Sequence, residues 1–145
     1  MRRLALTLAL LWAAGCGGDR EHAAARPDDR RAVQERVAAY LRAYAAGAGG
    51  RACAQYTEVL RARSDARAAA AGNRSCAATL TALGPALRDV LPPAAAERLG
   101  DPAAVLVELH GDRAFATQPG AGHRLRLVRG ADGRWLIADL GVREG

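Results

Sequence analysis

The stretch VLVELHGDRAFAT, residues 105–117, decides the fold class of this chain. Val105, Val107 and Leu109 recur at every second position, which is the period of a half-buried strand. The tetrapeptide HGDR that follows at 110–113 has the composition of a tight turn. The apolar residues after this turn predict a second strand that returns along the first. The stretch therefore predicts two antiparallel strands joined by a short turn.

Downstream of this stretch the two-residue period continues. A strand is predicted at 123–129, where Leu125 and Leu127 share one face. The sequence Ala-Asp-Gly at 131–133 is typical of a hairpin turn, and residues 134–142 predict a returning strand. Strands that follow one another through short turns predict an antiparallel meander.

Upstream of the strands the period is that of helices. From Asp28 onward, apolar residues at three- and four-residue spacing predict an amphipathic helix that ends at the glycine run 47–50. A second helix is predicted at 51–71. A third begins near Cys76, with a kink or split at 84–85 where Gly-Pro occurs. The apolar stripes of the first and third helices consist of Val33, Val37, Tyr40, Leu41, Tyr44, Cys76, Leu80, Leu83, Leu87 and Val90.

The order of these elements predicts the α+β class. N-terminal helices followed by a meander of strands are expected to pack as helices on one face of an antiparallel sheet. The domain defined in this way covers residues 28–145. This length is sufficient for one hydrophobic core and too short for two domains.

The N-terminal stretch MRRLALTLALLWAAGC, residues 1–16, has the organisation of an export signal. An arginine pair precedes an apolar run that is too short to span a bilayer, since about 18 apolar residues are needed. The small residues before Cys16 resemble the lipobox of bacterial lipoproteins, in which this cysteine carries lipid. Residues 1–15 are therefore predicted to be a signal peptide, and residues 16–27 a lipid-anchor cysteine and a flexible tether.

Lipid at Cys16 would hold the protein on the extracytoplasmic face of the cell membrane. The alternative is an ordinary signal peptide, cleaved near Gly15, and a secreted protein. Either route leads to an oxidising compartment, where Cys53 and Cys76 are predicted to form a disulfide. The chain offers no Cys and His spacing typical of a metal site. No cofactor is predicted.

The basic residues carry information about partners. All 21 are arginine, and the formal net charge is +6. They are scattered among acidic residues, which is typical of a solvated surface. An anionic partner, such as lipid headgroups or an envelope polyanion, is the alternative interpretation. Export of the protein argues against nucleic acid as its partner.

The order of elements resembles the NTF2-like superfamily, and in particular small exported proteins of actinobacteria. The patterns that carry this resemblance are the helix at 31–44 with its glycine break, the dipeptides Ala52-Cys53 and Ser75-Cys76, the GDRA turn at 111–114 and the DGRWLI sequence at 132–137. The resemblance implies a curved sheet that wraps around long helices and encloses a cone-shaped cavity. The superfamily includes isomerases, dehydratases, hydrolases and members without known chemistry, so the fold alone does not define a function.

The resemblance also implies candidate residues for such a cavity. Tyr40, Tyr44 and Trp135 are the predicted binding residues, although the helical spacing of the tyrosines is equally typical of core packing. The other polar candidates are Tyr56, Glu108, His110, His123 and Asp139. Both His110 and His123 adjoin glycine-containing turns and are expected to be exposed.

Asp139 is the one catalytic candidate. It shares parity with Trp135 and Ile137 and is therefore expected to point inward, where a carboxylate in apolar surroundings could act as a base. No histidine partner is predicted beside it. The sequence therefore favours a non-enzymatic interaction or adaptor domain with an envelope protein as its partner. The alternatives are a small apolar ligand bound in the cone, or an NTF2-like isomerase or hydrolase.

Overall fold

A computed structural model describes residues 26–119 and 123–142. Within these residues the chain forms helices followed by one antiparallel sheet, which confirms the predicted α+β class. The α-helices are α1 (Asp29–Ala45), α2 (Gly49–Cys53), α3 (Glu58–Ala70), α4 (Cys76–Val90) and α5 (Pro93–Glu97), and a 3₁₀ turn follows at Pro102–Ala104. The strands are β1 (Leu106–His110), β2 (Arg113–Thr117), β3 (Arg124–Arg129) and β4 (Trp135–Val142).

The sheet is an open meander with the strand order β1-β2-β3-β4. Each strand pairs antiparallel with the next, as the alternating pattern predicts. One face of the sheet packs against α1 and is referred to as the inner face. Its buried residues are Val107, Ala114, Ala116, Leu125, Leu127, Trp135 and Ile137. They form one hydrophobic core with the apolar stripe of α1.

Other parts of the chain cover both edges of the sheet. On β1, the side chains of Arg30 and Gln34 donate hydrogen bonds of 2.5 Å and 3.0 Å to the carbonyl oxygens of Val107 and Val105. On β4, the amide of Ile137 donates to a backbone carbonyl at 2.9 Å, and its carbonyl accepts a backbone amide at 2.8 Å. These bonds satisfy backbone groups that an exposed edge strand would offer to another chain.

The partner of Ile137 is a break in the predicted second helix. The expectation of one helix at 51–71 is wrong, because the chain leaves the helical conformation after α2 and resumes it at α3. Gln55 and Thr57 use their backbone groups to bind the edge of β4. The Thr57 hydroxyl then accepts a hydrogen bond of 3.2 Å from the amide of Leu60 and so caps α3. Contact with a distant strand therefore overrides the local helical pattern.

In contrast, the third predicted helix stays whole. α4 passes through Gly84 and Pro85 without a split. A Cβ atom at Gly84 would lie 2.1 Å from the carbonyl oxygen of Tyr44, so this glycine permits the close approach of α4 to α1. The first part of the α4 stripe is buried, whereas Leu83 and Val90 are exposed. The apolar stripe is thus longer than the buried surface.

The predicted disulfide between Cys53 and Cys76 is confirmed. It joins the last residue of α2 to the first residue of α4, with 6.4 Å between the Cα atoms, and the loop that it closes contains α3. The carboxylate of Asp65 accepts a hydrogen bond of 2.7 Å from the amide of Cys76, which joins α3 to the start of α4. Closing a loop of this length is worth ~3 kcal/mol on the chain-entropy model.

The predicted signal peptide at 1–15 and the predicted lipid-anchor residue Cys16 lie outside the described residues. Most of the predicted tether at 16–27 also lies outside them. Among the helices that the structure does describe, none combines the length and the apolar character needed to cross a membrane.

Candidate functional site

The tyrosines proposed for a binding cavity pack against one another. Tyr40 and Tyr56 are buried in the core and Tyr44 is half-buried. The Tyr56 hydroxyl donates a hydrogen bond of 3.2 Å to the Tyr40 hydroxyl. The centroid of the Tyr40 ring lies 5.6 Å from that of Tyr56 and 6.0 Å from that of Tyr44. These contacts stabilise the junction of α1 with the segment that precedes α3.

The same environment keeps these phenols protonated. Burial raises the pKa of Tyr40 to about 12, in spite of the opposing hydrogen bond from Tyr56. Burial, and then the neighbouring Tyr40, raise the pKa of Tyr56 above its ordinary value. Burial also raises the pKa of Tyr44. Near neutral pH these hydroxyls are therefore neutral hydrogen-bonding groups rather than phenolate bases.

Trp135 belongs to a different cluster, at the start of α1. Its indole is buried, and Nε1 donates a hydrogen bond of 3.4 Å to Oδ1 of Asp29. The guanidinium of Arg129 lies over the indole ring, with Cζ 5.0 Å from the centroid, and forms an ion pair with Asp29. The polar atom of Trp135 is thus occupied by a contact that attaches α1 to β3 and β4.

Asp29 is the centre of this second cluster. Burial alone would raise the pKa of its carboxyl group, but the hydrogen bonds that it accepts from the Arg26 amide, Trp135 and Arg129, together with the charge of Arg129, lower the pKa below its ordinary value. The backbone bond from Arg26 is 2.6 Å long. The carboxylate is therefore held in its ionised form by the groups around it.

The expected inward orientation of Asp139 is wrong. Leu127 pairs with Ile137, but Arg126, which directly precedes Leu127 on β3, pairs with Asp139. β4 thus contributes one extra residue, Ala138, and this bulge reverses the alternation of the residues that follow it. Asp139 consequently lies on the side of Arg126 instead of the side of Ile137. Parity with Ile137 predicts an inward side chain only in a strand without a bulge.

The surroundings of Asp139 are cationic rather than apolar. Its Oδ2 lies 3.7 Å from Nη2 of Arg63 on α3 and 3.9 Å from Nη2 of Arg126 on β3. His123 and Arg67 line the same cleft, which has a volume of about 340 Å³. The sequence pattern predicts no histidine partner for Asp139. The proximity of His123 follows from the antiparallel register, which brings the start of β3 to the end of β4.

The outer face of the sheet is the second polar region that the sequence did not single out. It consists of Leu106, Glu108, His110, Arg113, Phe115, Thr117, Arg124, Arg126, Val128, Leu136 and Asp139, which are all half-buried or exposed. Phe115 lies near its centre. The guanidinium carbon of Arg124 is 4.3 Å from the centroid of the Phe115 ring, and the ring of His110 meets it edge-on at 5.9 Å. Arg124 also forms an ion pair with Glu108.

This face combines an aromatic ring that Arg124 and His110 contact with a small excess of positive charge. Arg113, Arg124 and Arg126 lie on adjacent strands around Phe115, and the acidic residues on this side are Glu108, which pairs with Arg124, and Asp139, which lies near Arg126. The sequence pattern predicts scattered, solvated charges at these arginines. Their assembly becomes visible only from the strand register, which aligns Glu108, Phe115 and Arg126 across three strands.

In comparisons with known proteins, no family model, curated protein or solved structure matches this chain. Within residues 26–119 and 123–142, no group of three or more His, Cys, Asp or Glu side chains is placed to hold a metal ion. The candidate sites are therefore defined by their own geometry, and they are the outer face of the sheet and the cleft between α3 and β4.

Proposed function

We propose that this protein is a lipid-anchored, extracytoplasmic interaction domain without enzymatic activity, and that the outer face of its sheet binds an acidic envelope protein. The anchor is the lipidated Cys16, and the domain is an NTF2-like one, as the order of its elements suggests. The disulfide between Cys53 and Cys76 supports an oxidising compartment.

The arrangement around Phe115 is the observation that carries this proposal. Aromatic residues and arginine are enriched at protein interfaces and dominate their binding energy. Here the guanidinium of Arg124 lies over the Phe115 ring and His110 contacts it edge-on, so these contacts restrict the ring before a partner arrives. A preorganised side chain loses less conformational entropy on binding.

The charge of the outer face favours an acidic partner. Arg113 is exposed and Arg126 is partly exposed, and both can contact carboxylates of a second protein. A protein partner explains the ordered aromatic ring better than a lipid surface does, since headgroup attraction needs only positive charge. Complementary charge would mainly accelerate encounter and select the partner.

Binding of a small apolar ligand among Tyr40, Tyr44 and Trp135 has less support. The tyrosines fill the space with one another, and Trp135 is engaged by Asp29 and Arg129. An enzymatic role for Asp139 has less support as well, because its carboxylate faces two guanidinium groups instead of an apolar cavity.

Site-specific photo-crosslinking in the native envelope tests the proposal. The full-length protein would carry a diazirine analogue of phenylalanine at position 115, and a matched control would carry it at Val59, which is 77% exposed on α3. We expect position 115, and not position 59, to capture an acidic protein. The substitution Arg113→Glu should abolish this capture, whereas Arg61→Glu on α3 should leave it unchanged.

Other results would overturn the proposal. Equal capture from positions 115 and 59, or capture that resists Arg113→Glu, would show that the outer face is not the binding surface. Crosslinking to lipid from position 115 would identify the membrane as its partner instead. The anchor has a separate test, because Cys16→Ser should release the protein from the membrane fraction if lipid at Cys16 holds it there.

A further inference from the structure

Two adjoining hollows lie between α3, α4 and the end of β4. The first is the cleft that contains Asp139, with a volume of about 340 Å³. The second has a volume of about 320 Å³ and extends between α3 and α4. Arg67 and Leu140 line both hollows, so the two adjoin each other. Volumes of this size are at the small end of the range for ligand sites in proteins.

The first hollow is cationic. Arg63 and Arg67 are four residues apart on α3, so they lie on the same face of the helix. His123 adds a third basic side chain, and Asp139 is the acidic residue of the lining. The separation of 3.7 Å between Arg63 and Asp139 exceeds the 2.7–2.9 Å of a charge-assisted hydrogen bond. The guanidinium of Arg63 can therefore still donate to an anion that enters the cleft.

The second hollow has an apolar floor. Ala68 of α3 and Cys76 and Leu80 of α4 are buried and line it, and Leu140 of β4 closes one side. Tyr56 also lines this hollow, but its hydroxyl is engaged with Tyr40. The wall of the second hollow therefore presents mostly carbon atoms. An apolar chain that left water for this floor would gain the usual hydrophobic free energy.

We propose that these hollows form one binding site for a single-chain anionic amphiphile. Its carboxylate or phosphate head lies between Arg63 and Arg67, and its apolar chain lies against Leu80 and Leu140. The charge of the first hollow selects the head, and the carbon surface of the second selects the chain. This site adjoins the outer face of the sheet, since Asp139 in its lining lies near Arg126, but its proposed ligand contacts (Arg63, Arg67, Leu80 and Leu140) are not residues of the proposed protein interface.

Calorimetric titration of the full-length protein with defined probes tests this site. The probes are decanoate, decyl phosphate, decyltrimethylammonium and acetate, each below its micelle concentration. We expect an anionic ten-carbon probe to bind at least ~10-fold more tightly than acetate or the cationic probe, a difference of about 1.4 kcal/mol. The ratio between decanoate and decyl phosphate identifies the preferred head.

Substitutions test separately the hollow proposed for the anionic head and the hollow proposed for the apolar chain. Arg63→Gln with Arg67→Gln should weaken binding of the anionic probe at least ~10-fold, which is the loss expected for one charge-assisted contact. Arg61→Gln, on the same helix outside the cleft, is the matched control and should leave binding unchanged. Ala71→Trp, at the exposed rim of the second hollow, should remove the preference for a long chain.

The proposal would be overturned by equal affinity for the anionic and cationic probes, which would indicate detergent-like adsorption. It would also be overturned if Arg61→Gln weakened binding as much as the double variant, or if the anionic probes did not bind at all. Thermal unfolding of every variant shows whether the protein still folds. Because the substituted positions are exposed, we expect unchanged unfolding temperatures, and a loss of binding then reports on the site itself.

Discussion

The two faces of the sheet are built on the same four strands and serve different purposes. On the inner face, Leu127 and Ile137 are fully buried and pair with each other. On the outer face, Phe115 and Arg126 pair in the same way but remain partly accessible. Packing restricts residues on the first face to a given volume, whereas the second face is free to carry charge. The comparison indicates that stability resides in the inner face and that the outer face is available for the proposed recognition.

Truncation of Leu127 should break the inner face. Leu127→Ala is expected to lower the free energy of unfolding by about 2–5 kcal/mol, because it removes transfer energy and leaves a cavity. Val128→Ala, the next residue on the outer face, should cost less than about 1 kcal/mol. Urea unfolding midpoints measure both changes. Similar losses at the two positions would contradict the assignment of the faces.

The polar cluster around Asp29, at the end of the inner face, should make the free energy of unfolding depend on pH in the acid range. Because the folded pKa of Asp29 lies below its ordinary value of 3.8, its contribution to stability is present above that pH. It is lost as the pH falls through the folded pKa. Asp29→Asn should cost about 1–3 kcal/mol near neutral pH and should flatten the loss of stability in acid.

Urea unfolding at pH 7, about pH 4 and below about pH 3 follows this effect. Asp132→Asn provides the control. Hydrogen bonds from Arg134 lower the pKa of Asp132 too, but this carboxyl group is exposed and its contribution is screened by water. A variant Asp29→Asn that kept the acid dependence of the wild-type protein would show that this buried cluster does not stabilise the fold.

Substitution of Phe115 should separate recognition from stability. Phe115→Leu keeps an apolar side chain but removes the ring that contacts Arg124 and His110. The cost in unfolding free energy should be about 1 kcal/mol or less, the size of an exposed cation–π contact with some lost packing. Binding of the acidic partner should fall much further, as crosslinking yield from a diazirine at Thr117 would show. A large loss of stability would instead assign Phe115 to the core.

Local pattern predicted much of this fold. The two-residue period placed the strands, because each strand has one buried face, and the helical period placed α1 for the same reason. The disulfide followed from the predicted oxidising compartment and an even pair of cysteines. What failed depends on distant partners. Thr57 leaves the helix because Ile137 offers backbone bonds, and the helical period around it carries no trace of that strand.

The candidate sites were less accessible to sequence reasoning. A single bulge moved Asp139 to the opposite side of β4, and periodicity cannot detect one inserted residue. No sequence pattern brings Arg63 and Arg67 to β4, and they line a cleft only because α3 lies beside β4. Sites that combine several elements require the register and packing of those elements, which local patterns do not encode.

The cluster around Asp29 also has a mechanical consequence. Any pulling force on the chain that precedes Arg26 enters the domain at the first turn of α1. At that turn Arg129 of β3 and Trp135 of β4 both hold the Asp29 carboxylate. The load is therefore shared by two neighbouring strands of the sheet before it can unwind the helix. In a protein tethered by its N-terminal segment, the contacts of this turn with β3 and β4 would resist unfolding of the domain under tension.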